Sequence, residues 1–155
     1  MRKLWDGFGI IDLEDTLSSK SEHYVHFVWA TKQREPLITP EIERSVYRCI
    51  VDLTIGLKCP VRAINGMPDH VHLVVGLHSD VCSSRIMKQV KGVSSAMIND
   101  LHDHQQYFRW QQGYYIRSVS LSHLKGVIAY VDNQKQHHAD GTIHAEWEDA
   151  GDDHI

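Results

Sequence analysis

The run Asp69-His70-Val71-His72-Leu73-Val74-Val75 constrains the fold more than any other stretch of the chain. Its apolar, β-branched composition favours a strand, and alternate side chains of a strand point to the same face. His70 and His72 therefore project together, while Val71 turns the other way into a core. Two imidazoles held side by side on a rigid strand form half of a metal site. His102-Asp103-His104 repeats the spacing, but in polar surroundings with no strand pattern. Among 12 histidines it reads as a chance pair.

The neighbouring segments fix what this strand packs against. Residues 23–30, HYVHFVWA, are aromatic and β-branched and read as a strand. The exit Thr31-Lys32-Gln33-Arg34-Glu35-Pro36 is polar and basic. Thr39 and Pro40 then open a helix, with Glu41 and Glu43 at its positive end. Ile42, Val46, Ile50, Leu53 and Leu57 form its apolar stripe. Residues 60–65 alternate as a strand, and Asn65-Gly66-Met67-Pro68-Asp69 turns the chain back into the histidine strand, which predicts a hairpin. A second helix carries Ile86, Val90, Val93, Met97 and Leu101 on its buried stripe, with Arg85, Lys88 and Lys91 on other faces. Residues 114–120 alternate as a strand. A last helix, capped by Ser120 or Ser122, runs to about residue 136.

The order is strand, helix, strand, strand, helix, strand, helix. The first six elements make the split β-α-β plan: an α+β, ferredoxin-like or RRM-like sandwich, with an antiparallel four-stranded sheet and helices on one face. The seventh is an extra C-terminal helix. This predicts an irregular N-terminal arm over 1–22, one domain over 23–138 and an acidic tail over 139–155.

A chain of 155 residues holds one real core. No apolar run approaches the ~20 residues of a membrane helix. The N-terminus lacks the pattern of a signal peptide, so the expectation is a cytoplasmic protein without a membrane partner. Cys49, Cys59 and Cys82 are far apart and read as reduced thiols, mostly buried. The net charge of −4 is unevenly spread: residues 146–155 hold five acids and no Lys or Arg, whereas residues 21–145 hold 13 basic against 11 acidic residues. A mildly basic body is compatible with a nucleic-acid partner without requiring one.

The last helix carries a second constellation. Leu124, Val127, Ile128 and Val131 form an apolar stripe, and Tyr130 and Gln134, at i and i+4, share a neighbouring stripe with His123 and His138. Taken alone, a tyrosine on such a rim is a half-buried anchor.

Together these stretches resemble a known family. Met67-Pro68-Asp69-His70-Val71-His72-Leu73-Val74 is similar to the HUH motif, histidine–hydrophobic–histidine, of the small single-tyrosine (TnpA-type) transposases of bacterial insertion sequences. Tyr130-Val131-Asp132-Asn133-Gln134 resembles their nucleophile helix. Residues 26–32 with Arg34, Trp110-Gln111-Gln112-Gly113-Tyr114 and Ser118-Val119-Ser120 match in kind and order. The likeness spans about residues 23–138 and leaves out the acidic tail, which is unusual for a DNA-binding enzyme.

The resemblance implies a DNA transposase that cleaves and rejoins single-stranded DNA through a 5′-phosphotyrosine intermediate. It makes Tyr130 the catalytic nucleophile and His70, His72 and Gln134 the metal ligands. Imidazoles by themselves favour zinc, copper or nickel, whereas an amide oxygen with phosphate suits Mg2+ or Mn2+; the family implies the latter two. It further implies hairpin-forming DNA ends as partner and a homodimer with shared active sites. Lys32, Arg34, Arg85 and Lys88 are candidate DNA contacts. Asp69 is a candidate partner for a ligand histidine or a turn cap. Two other readings bear on the same residues. A non-catalytic single-stranded nucleic-acid binder of the same fold, a domesticated relative, has no need of Tyr130 and Gln134 one turn apart. A small metal hydrolase on His70 and His72 would be indifferent to Tyr130.

Overall fold

The computed structural model describes residues 21–101 and 106–152, together with the backbone of Lys3–Trp5 and Ile10–Asp12. His102 and His104 lie outside the described residues. Within the stretch expected to be an irregular arm, β1 (Lys3–Trp5) pairs antiparallel with β2 (Ile10–Asp12).

The domain is built on β3 (Tyr24–Ala30), β4 (Val61–Met67), β5 (His70–Gly76) and β6 (Tyr115–Val119). They form one antiparallel sheet in the order β4-β5-β3-β6. Two helices, α1 (Pro40–Gly56) and α2 (Ser83–Leu101), supply the crossovers. This is the split β-α-β plan. The tight turn between β4 and β5 pairs Met67 with His70. A side chain at Gly66 would overlap the His70 carbonyl, so glycine lets the two strands close there.

The alternation of β3 and β5 divides the molecule. Val25, Phe27 and Trp29 with Val71, Leu73 and Val75 face α1 and α2 and form the main core with Ile42, Val46, Ile50, Ile86 and Val90. His26, Val28, His70, His72 and Val74 face the other way. A one-residue slip of β5 would put both imidazoles into the apolar layer, at a cost of several kcal/mol. The register is therefore firmly specified.

The second face is covered by α3 (Leu121–Asp132), α4 (Gln134–Asp140) and the segment that follows. Leu124, Val127, Tyr130 and Val131 pack there against Ala63, Val74 and Val119. The expected single last helix is thus two. The break falls at Asn133 (φ −102°, ψ 21°), whose side-chain amide donates to the Ala129 carbonyl at 2.8 Å and competes with the helical ladder.

The stripe of α2 also differs from the expected one. Ile86 and Val90 are buried as predicted, but Ser94 and Ile98 continue the stripe, while Val93 and Leu101 are exposed. The reason is a buried polar pair: Trp110 Nε1–H donates to Ser94 Oγ at 2.9 Å, so a serine belongs in the interior. All three cysteines are free; Cys59 is buried and Cys82 exposed, not buried. Among the described residues, no helix is long and apolar enough to cross a membrane.

Candidate metal and nucleophile site

The second sheet face gathers the chemistry. His70 and His72 sit side by side on β5, 2 % and 0 % exposed, with ring centroids 5.1 Å apart. Small residues lie beside them in the sheet, Ala30 opposite His70 and Val28 opposite His72. Each imidazole is held by its Nδ1. His70 Nδ1–H donates to Asp69 Oδ1 at 2.7 Å, and His72 Nδ1 shares a 2.9 Å hydrogen bond with His26 Nε2. Both Nε2 atoms are thereby turned to the same side. An outer partner on one ring nitrogen, leaving the other free, is the arrangement of metal-binding histidines. Asp69, which the sequence left open as histidine partner or turn cap, bonds to His70 through its side chain. His26 was not foreseen as a site residue. It lies diagonally across from His72, a relation visible only once β3 is known to neighbour β5.

Tyr130 and Gln134 arrive from the covering layer. The Asn65 side-chain amide donates to the Asp132 carbonyl at 3.0 Å, which pins the end of α3 to β4. Lys135 Nζ donates to Asn65 Oδ1 at 3.0 Å and the Gly66 carbonyl at 2.8 Å, and pairs with Glu43 at 3.1 Å. These ties press the start of α4 against the histidine strand. Gln134 is fully buried and Tyr130 is 4 % exposed. The Tyr130 ring lies 6.1 Å from that of His72. One chain thus supplies both histidines, the tyrosine and the glutamine.

Among the described residues the buried Gln134 Oε1 makes no hydrogen bond, and His70 Nε2 meets only the Glu148 carboxylate, at 3.0 Å. Buried orphans cost about 1–3 kcal/mol each and are rare. A carbonyl oxygen, and an imidazole nitrogen once its proton is displaced, are both donors to a cation, so these atoms fit a divalent ion.

The acidic tail, read from sequence as a separate segment, closes over the site. Trp147 packs edge-on to Tyr130 at 4.9 Å, with His144 at 5.1 Å. His137, on α4, stacks on the same ring at 4.7 Å. Glu148 reaches the centre. Its Oε2 stands 3.0 Å from His70 Nε2, and 3.3 Å from both His72 Nε2 and His138 Nε2. Its Oε1 accepts from the Tyr130 hydroxyl and, at 3.2 Å, from the Gln134 amide. His70, His72 and Glu148 offer ligand atoms within 4.8 Å of one another and could hold a metal ion. Glu148 was missed because acids near a chain end read as a solvated tail. The signal was Trp147 and Ala150 among those acids.

The electrostatics follow from burial and neighbours. Burial would lower His70, but its hydrogen bonds to the Asp69 and Glu148 carboxylates outweigh it and hold it up at about 9. Burial lowers His72, and lowers His26 to about 3 with help from His72 and Arg117. Burial would raise Glu148, yet His70, His72 and Tyr130 bring it well below the usual carboxylate range. Burial, then the bond to Glu148, push the Tyr130 phenol up to about 12.

A pocket of about 520 Å³ opens beside this cluster, lined by Arg34, Met67, Asp69, His70, His138 and Glu148. Arg34 lines it, 3.5 Å from Asp69, with its guanidinium donating to the Glu148 carbonyl at 3.4 Å. Gln33 and Arg34 both hold left-handed backbone (φ 53°), which costs a non-glycine residue about 1–2 kcal/mol. Lys32 lies in the same 3-10 turn. Arg85 and Lys88 are exposed on α2, in the layer opposite the histidines.

With this geometry in view, the likenesses to known proteins can be placed. The family model of IS200-like transposases matches residues 19–134. No curated protein matches the chain. A crystal structure of a candidate transposase from Deinococcus radiodurans shares 23 % identity, with a TM-score of 0.60 over 76 % of this chain and 94 % of that one. A REP-associated tyrosine transposase bound to a REP hairpin shares 13 % identity, with a TM-score of 0.59 over 80 % of this chain and 72 % of that one. Both have the same fold.

Proposed function

The chain belongs to the IS200-like transposase family, and we propose that it cleaves and rejoins single-stranded DNA with Tyr130 as nucleophile and His70, His72 and Gln134 as holders of Mg2+ or Mn2+. The observation that carries this reading is the convergence, within one chain, of Tyr130 and the orphaned Gln134 Oε1 on the His70–His72 face. A bound divalent cation would polarise the scissile phosphate and favour the phenolate.

The side chains divide the remaining work. Asp69 and His26 fix the two imidazoles with Nε2 toward the site. In the resting arrangement the phenol, raised to about 12, keeps its proton. On attack, that proton leaves to water and Tyr130 Oη bonds to phosphorus. The bond from phosphorus to the 3′ oxygen breaks, and this oxygen takes up a proton as the free 3′ end. The phosphotyrosine keeps the bond energy, so the reverse attack rejoins strands without ATP. Arg34 lines the pocket beside the cluster and, with Lys32 on the same turn, would meet the strand's phosphates. Hairpin-forming DNA ends are the proposed substrate, in keeping with the hairpin-bound relative. A homodimer is part of the same proposal.

The test is incubation of labelled single-stranded hairpin oligonucleotides with Mn2+ and either wild-type protein, His70→Ala or His72→Ala, resolved on a denaturing gel. Wild type should cut and both variants should not. Full cleavage by the double alanine variant would remove the metal role.

A further inference from the structure

We propose that Glu148 is a ligand of the resting cation site, carried onto it by the C-terminal segment, and that a phosphate oxygen of the DNA strand takes its place when substrate binds. The inference rests on the preceding assignment of the cation to His70, His72 and Gln134.

The spacing of the donors is the first support. Glu148 Oε2 stands 3.0 and 3.3 Å from the two Nε2 atoms. Ligands bound at about 2.0–2.2 Å to one ion would lie about 3.0–3.5 Å from one another, so little movement would be needed for these atoms to share one. His70 Nε2 is paired with the carboxylate at 3.0 Å and meets no other partner among the described residues. Gln134 meets the carboxylate through its amide nitrogen at 3.2 Å, and its buried carbonyl oxygen has no partner. A carboxylate oxygen, an imidazole nitrogen and an amide oxygen are all ligand types of divalent ions.

The second support is that Glu148 is placed by the fold. The buried Gln111 amide donates to the Ala150 carbonyl. Ala150 is itself buried against Val28 and Ala30 on the histidine face. Arg117 donates to the Glu146 carbonyl, and Arg34 to that of Glu148. Gly151, at φ 75°, lies against the Tyr114 backbone, where any side chain would collide.

The third support is position. The carboxylate bridges Tyr130 on one oxygen and the histidines on the other. A phosphodiester attacked by Tyr130 while gripped by the ion must occupy that same space. A second pocket, of about 620 Å³, has Arg117, His123 and Trp147 in its lining, so Trp147 and Glu148, neighbours in the segment, line different pockets. A strand reaching from one to the other would meet this segment. Neutral imidazoles and an amide leave the ion its full charge, whereas Glu148 halves it. Substitution by phosphate therefore exchanges one anionic oxygen for another and opens the site only to a strand that binds.

The experiment is Mn2+ titration of full-length protein, without DNA, read by the electron paramagnetic resonance of the free ion. Wild type, Glu148→Ala, Glu148→Gln, His72→Ala and Glu146→Gln are compared, with near-ultraviolet circular dichroism confirming the fold. Both Glu148 variants should bind Mn2+ at least tenfold more weakly than wild type, with Glu146→Gln unchanged. With a saturating single-stranded hairpin oligonucleotide present, the gap between wild type and the Glu148 variants should shrink below threefold. Unchanged Mn2+ affinity in folded Glu148→Ala and Glu148→Gln overturns the ligand role, as does an equal loss in Glu146→Gln. A gap that persists with DNA overturns the exchange. If His72→Ala also binds Mn2+ like wild type, the cation assignment itself fails; if His72→Ala loses the ion and the Glu148 variants do not, only this inference fails.

Discussion

Replacing His26 by leucine isolates the part of the site that does not touch the reacting groups. His26 is 1 % exposed, and its Nε2 lies 2.9 Å from His72 Nδ1. Leucine fills a similar volume but accepts no hydrogen bond. His72 Nδ1–H would then be buried without a partner, at a cost of about 1–3 kcal/mol. The imidazole escapes part of that cost by moving its proton to Nε2, which is the form that cannot bind a cation. Loss of such an outer partner lowers metal affinity about 10–100-fold, or about 1.4–2.8 kcal/mol. Glutamine at the same position can accept from Nδ1–H through its side-chain oxygen. Mn2+ titration of wild type, His26→Leu and His26→Gln should therefore give the leucine variant the large loss and the glutamine variant a small one. Equal affinity in all three, or equal losses in both variants, would refute the positioning role.

Three further outcomes follow from the same geometry. Arg34→Ala should weaken single-stranded DNA binding about tenfold, the value of one charged hydrogen bond, while Arg85→Ala and Lys88→Ala should leave it within twofold; the opposite ranking in a fluorescence-anisotropy titration would move the DNA to the α1–α2 layer. Since one chain supplies the tyrosine and both histidines, a mixture of Tyr130→Phe and His70→Ala proteins should cut no DNA, and recovered cleavage would mean that the tyrosine helix is exchanged between two copies. The third outcome concerns pH: the folded chain protonates His26 only near pH 3, whereas an unfolded chain does so near 6.5, so His26 subtracts stability as pH falls through that window. Cation-free wild type should lose stability between pH 6.5 and 3 more steeply than His26→Gln in urea melts, and matching slopes would contradict the burial of a neutral imidazole there.

What was legible in the sequence was whatever depends on a local period. The alternation of residues 70–75 fixed which face carries His70 and His72, and the turn at Pro68-Asp69 fixed the hairpin, because both are set by neighbours along the chain. The stripe of α2 went astray after Val90 because Ser94 is interior for the sake of Trp110, 16 residues on. The joint at Asn133 depends on a side-chain bond that hydrophobic periodicity does not report. His26 belongs to the site only through strand order, and Glu148 only through the docking of residues 144–152 across the sheet. Long-range placement, rather than chemistry, was the part that could not be read.

The central claim is that Tyr130 takes the phosphate. Wild-type protein incubated with a single-stranded hairpin oligonucleotide and Mn2+, then denatured and digested for mass spectrometry, should yield a phosphonucleotide on the peptide carrying Tyr130. Tyr130→Phe leaves the ring and its packing with Trp147 and His137 in place, so it should still fold and bind DNA while forming no adduct. An adduct that survives in Tyr130→Phe, or a phosphate located on Tyr114 or Tyr115, would contradict the assignment.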